Sequence, residues 1–81
     1  MNTYKLSNIS IATFKKFLSF VGCTYISTEG GHEKWKKEDC KRSIIIQTHI
    51  DPIPEFIIKN NLRTLGLTRS DFIPWLKTQY H

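Results

Sequence analysis

The chain predicts an α+β domain in which a three-stranded antiparallel sheet carries helices on one face. Three observations predict it. Apolar residues recur at helical spacing in two separate segments, Ser10–Val21 and Glu55–Leu65. Between these segments lie three short stretches rich in β-branched and aromatic residues, divided by turn-forming ones. The links between the stretches are too short for a parallel crossover, so the strands form a meander, and two helices suffice to cover one of its faces.

The first helix is SIATFKKFLSFV, where Ile11, Phe14, Phe17, Leu18 and Val21 share a face and Lys15, Lys16 and Ser19 occupy the other. Asn8 and Ser10 are both suitable N-caps, and Gly22 suits the left-handed residue beyond the last turn. Cys23–Thr28, CTYIST, is the first strand, and Glu29-Gly30-Gly31 supplies the turn. The return strand is His32–Lys37. Alternation puts His32, Lys34 and Lys36 on one face and Glu33, Trp35 and Lys37 on the other, which sends Trp35 toward the helices. A polar connection leads to Ser43–Thr48, SIIIQT, whose three consecutive isoleucines fit a mostly covered, central or well-packed strand.

Pro52 and Pro54 close that strand and set up the second long helix, in which Ile58, Leu62 and Leu65 align. Gly66 ends it, with Leu67 as the hydrophobic contact that follows. Thr68-Arg69-Ser70-Asp71 resembles a capping box with Asp in place of Glu or Gln. A short final helix carries Phe72, Ile73, Trp75 and Leu76, and Pro74 fits it best if the regular turns begin near Asp71 or Phe72. The end, Thr78–His81, is expected to fray.

At 81 residues this is one domain, 1–81, and its 40% hydrophobic content fits a packed core rather than a disordered tail. Lys and Arg outnumber Asp and Glu by 12 to 7, a net +5 that favours polyanionic partners. Two cysteines, Cys23 and Cys40, are too few for a disulfide framework, and no secretory leader is visible, so a reduced cytoplasmic setting is expected. Apolar runs such as Ile44-Ile45-Ile46 are far short of the roughly 20 residues that cross a bilayer, so no membrane partner is expected. Cys23, His32, Cys40 and His49 lack the spacing of a metal site, and no Walker loop, nucleophile elbow or carboxylate pair is present.

Cleavage of RNA is a chemistry that needs little more than these residues offer. A base removes the 2′-hydroxyl proton, the oxygen attacks the neighbouring phosphate, an acid protonates the leaving oxygen, and cations stabilise the phosphorane. Histidine titrates near neutrality and can serve as base or acid. Lys34 and Lys36, about 7 Å apart per two-residue strand step, are placed to touch phosphates, and Gly30 and Gly31 allow a sugar–phosphate backbone to approach. An exposed turn histidine with no catalytic task gives the same pattern.

GGHEKWKK (30–37) and SIIIQTHIDPIPEFIIKNNLRTLGLTRSDF (43–72) resemble the HicA family of bacterial toxins, small mRNA interferases of type II toxin–antitoxin modules. The resemblance lies in Gly30-Gly31-His32, in Lys34-Trp35-Lys36, in Ile44-Ile45-Ile46 followed by His49, and in Leu62 through Gly66-Leu67-Thr68. It covers nearly the whole chain. It implies a double-stranded-RNA-binding-like α-β-β-β-α fold and a metal-independent endoribonuclease with no cofactor, acting in the bacterial cytoplasm as part of a stress response. His32 matches the catalytic histidine. It also implies neutralisation by a HicB-like antitoxin that covers the active face. Two positions depart from the pattern. Gly31 stands where Ser or Thr is usual before the histidine, and Gln47 stands where proline often precedes the later one. His49 is therefore either a second proton-transfer group or a strand-end hydrogen-bonding residue. Two rivals share the fold: an RNA-binding module that does not cut, and a protein-interaction domain.

Overall fold

A computed structural model describes residues 6–79. The elements run α1 (Ile11–Phe20), β1 (Thr24–Glu29), β2 (His32–Lys36), β3 (Ile44–Gln47), α2 (Glu55–Thr64) and α3 (Arg69–Lys77). The three strands form one antiparallel sheet in the order β1-β2-β3. The helix–strand–strand–strand–helix layout is therefore present, with α3 added behind α2.

Local chemistry sets the ends of α1. Ser10 is the N-cap, its hydroxyl accepting from the Thr13 N–H at 3.0 Å, while Asn8 lies outside the helix with φ of 59°. The Asp51 carboxylate accepts from the Ile11 N–H at 3.1 Å, so the loop after β3 helps to cap α1. At the other end Gly22 has φ of 97°, and the Cys23 N–H reaches the Leu18 carbonyl at 2.8 Å, closing a Schellman turn. Gly66 repeats the device after α2, with the Leu67 N–H on the Leu62 carbonyl at 2.8 Å.

The core is built by Leu6, Ile9, Phe14, Phe17, Leu18, Ile44, Ile46, Ile58, Leu62, Phe72 and Leu76, with Trp35 and Cys23 at its margin. Phe17 packs edge-on against Phe72 (4.7 Å between ring centres) and Trp75 (5.2 Å), locking α1 to α3. Burial holds the Cys23 thiol above its ordinary pKa, as fits a packing residue.

One expectation changes, the start of the last helix. β3 is an edge strand, as the meander requires, and it is well packed on its inner face. Ile44 and Ile46 are fully buried, but Ile45 faces the other way and is 37% exposed. Its packing comes from α2, where the buried Asn61 amide donates to the Ile45 carbonyl at 3.2 Å and meets the backbone of the edge. The last helix begins at Arg69, so Pro74 lies inside it and not in its first turn. The start is fixed by Asp71, whose carboxylate accepts from both the N–H and the hydroxyl of Thr68 at 2.8 and 3.1 Å. Proline leaves the Ser70 carbonyl without its helical donor, and Ser70 is exposed, so the loss falls at a solvent-facing residue and not in the core.

Candidate functional site

β2 presents two chemically different faces. Its burial alternates from His32 onward as exposed, buried, exposed, buried, half-buried. Glu33 and Trp35 turn toward the helices, and the Trp35 indole donates to Glu33 Oε1 at 2.7 Å. Lys15 of α1 completes the inner cluster, with its ammonium 3.2 Å from the same oxygen. A carboxylate that is only 7% exposed is thus balanced by a cation and a charge-assisted hydrogen bond. On the outer face stand His32, Lys34 and Lys36, as the alternation predicts.

The hairpin turn is Gly30-Gly31, with φ of 56° and 80°, and the pairing of Glu29 with His32 closes it. Positive φ at both central residues gives the primed turn whose twist matches the flanking strands. Beyond it, His32 pairs with Gln47 of β3, and the Thr48 N–H continues the ladder onto the Gly31 carbonyl at 2.8 Å. The Thr48 hydroxyl donates to the same carbonyl at 3.2 Å. A chain reversal follows, the Ile50 N–H reaching the Gln47 carbonyl at 3.3 Å.

That reversal brings His49 onto Gly31. A Cβ at Gly31 would lie 3.4 Å from His49 Nδ1 and 3.9 Å from the Thr48 hydroxyl. The second histidine of the sequence is therefore seated on the residue that precedes the first, and both histidines are exposed. The space beside Gly31 is filled by an imidazole. Beside Gly30 it is open, with nothing within 4 Å of where a side chain would begin.

The lysines differ. Lys34 is exposed at the middle of the outer face, opposite Ser27 on β1 and Ile45 on β3, and its ammonium has no hydrogen-bond or ion-pair partner among the described residues. Lys36 is half-buried and donates to the Lys41 carbonyl at 3.1 Å, so it is held at the far end of the strand. Lys37 is taken up by Asp39 at 2.7 Å, an ion pair that raises the pKa of the lysine and lowers that of the aspartate.

Gln47, Ser27, Thr48 and Ile45 complete the surface, a placement that sequence alone did not show. Only strand register brings them beside His32 and Lys34, and register is set by the turn rather than by residue type. Among the described residues no group of three or more His, Cys, Asp or Glu is arranged to hold a metal ion, and no helix is long and apolar enough to cross a membrane. No family model, curated protein or solved structure matches the chain.

Proposed function

We propose that the chain is a HicA-like mRNA interferase, an endoribonuclease of the bacterial cytoplasm that binds RNA on the outer face of its sheet. The observation that carries the reading is the Gly30-Gly31 turn, where His32 leaves the turn, His49 rests on it, and Lys34 stands one strand step away on the face of His32. Cleavage by an internal 2′-hydroxyl needs two proton transfers, one from the nucleophile and one to the leaving 5′-oxygen, and no water or metal in the bond-breaking step. His32 is the principal proton-transfer residue, and His49 is its complement. Lys34 meets the phosphate charge, with Lys36 binding the strand further along. Gly30 gives the backbone room to approach. The bond from phosphorus to the 5′-oxygen breaks as the bond from the 2′-oxygen forms, which leaves a 2′,3′-cyclic phosphate. A HicB-like antitoxin laid over this face would silence the enzyme by excluding RNA.

The test compares wild type, His32→Ala and His49→Ala on a defined single-stranded RNA with EDTA present. His32→Ala lowers cleavage by about 10²-fold or more while RNA binding persists, and His49→Ala has the smaller effect. Wild-type protein that binds RNA and never cuts it would make this a binding module. Protein that does not bind RNA at any salt would leave the outer face as a protein-interaction surface.

A further inference from the structure

Both cysteines of the chain lie at one corner of the fold, the open end of the β1–β2 hairpin, opposite its glycine turn. Cys23 directly precedes β1, and the pairing of Thr24 with Lys36, carried one residue further, sets it across from Lys37. From Lys37 the chain turns back on itself, the Cys40 N–H reaching the Lys37 carbonyl at 2.9 Å. The two cysteines therefore flank the same residue. Both also face the core: Cys23 is 8% exposed within it, and the half-buried Cys40 packs against it.

Electrostatics places the two sulfurs within range of each other. Burial raises the pKa of the Cys23 thiol, and the neighbouring Cys40 thiol raises it further. The Lys37 ammonium, held chiefly by its hydrogen bond to Asp39, feels both sulfurs. Packing accounts for one small buried residue at this corner, but not for a second thiol beside it. Among the described residues no third ligand joins the pair to make a metal site. An open dip of about 550 Å³, lined by Val21, Gly22, Lys37, Glu38 and Asp39, lies against the chain neighbours of both cysteines and admits a small solute.

We propose that Cys23 and Cys40 are a peroxide-responsive thiol pair that closes into a disulfide clasp across the open end of the hairpin. Cys40, the more accessible of the two, reacts first. Its sulfur takes one oxygen of hydrogen peroxide to become a sulfenic acid, and water leaves. The Cys23 sulfur then displaces that hydroxyl as a second water, and the S–S bond forms. One peroxide is reduced to two waters while two thiols give up two protons and two electrons. In a reducing setting the pair rests as thiols, and a dithiol reopens the bond. The closed ring encloses the whole β1–β2 hairpin, so oxidation restrains the sheet from the end away from His32. The clasp holds whether or not the chain cuts RNA.

The experiment treats the reduced full chain, at micromolar concentration in native buffer, with a small excess of hydrogen peroxide. The expected product is a monomer that has lost both free thiols and whose intact mass has fallen by two hydrogens. Peptide mapping without reductant should join the segments that hold Cys23 and Cys40, and dithiothreitol should restore both thiols. The ring is expected to raise the melting temperature by about 10 °C. In Cys40→Ala the buried Cys23 should keep its thiol under the same treatment. In Cys23→Ala, Cys40 should gain oxygen instead of closing a ring. If either variant folds poorly, the mapping of the wild type decides. Two thiols that survive the treatment, oxygen added to Cys40 of the wild type while Cys23 stays free, dimers joined between chains, or a melting temperature that does not rise overturns the proposal.

Discussion

Gly31 is the residue whose meaning changes most between sequence and structure. As one of two adjacent glycines it signals a turn and no more, and against the HicA pattern it looks like the loss of a hydroxyl. In the folded chain its φ is 80° and its side-chain position faces the His49 imidazole at 3.4 Å. The Thr48 hydroxyl lies on the same residue from the other strand, so the turn is not without one. Gly31→Ser is accordingly expected to destabilise the protein by about 1–2 kcal/mol, the cost of a left-handed residue with a Cβ, before any displacement of His49. Gly31→Asn should cost less, because asparagine tolerates that region. Urea denaturation of the three proteins ranks them, and a serine variant as stable as wild type would refute the steric account. The hydrophobic pattern could reveal neither contact, since both arise where the chain reverses over residues 47–50, directly after the isoleucine run.

At the scale of the element, β2 is a strand with an exposed cationic side and an anchor on the other. Its alternation was legible in HEKWK, and so was the inward turn of Trp35. The identity of its partners was not, because Lys15 is brought to Glu33 only when α1 packs across the sheet. Glu33→Ala leaves the indole N–H buried without an acceptor and should cost about 1–3 kcal/mol. Trp35→Phe removes the donor instead. A double-mutant cycle on these two changes should give a coupling of about 1 kcal/mol or more, measured from denaturant midpoints at unchanged m. A coupling near zero would mean that Glu33 serves Lys15 alone. The same limit explains the other departures. The burial of Ile44 and Ile46 was readable, but the bond by which Asn61 meets the backbone of the β3 edge was not. Pro74 argued for a later helix start on local grounds, and the Asp71 cap outweighs it.

At the scale of the molecule, the net charge of +5 is divided between two layers that face different ways. Lys34 and Lys36 lie on the sheet, and Arg63 and Arg69 lie at the turn between the helices, in a body measuring 40 × 28 × 22 Å. The charge excess was visible in the composition; its division was not, because it follows from which strand face the helices cover. The two pairs share no hydrogen-bonding partner, and for separate sites free-energy changes add. On a single-stranded RNA long enough to reach both layers, removing either pair should reduce the slope of log K against log salt by about 1.4, and removing all four cations by about 2.8. On a strand only a few nucleotides long, which occupies one layer at a time, the two losses should no longer add. Binding isotherms at four or five salt concentrations, for the His32→Ala background and its three variants, separate these cases. If the long strand loses its whole salt dependence when Lys34 and Lys36 alone are removed, RNA is held on the sheet only, and the helical layer takes no part in binding it.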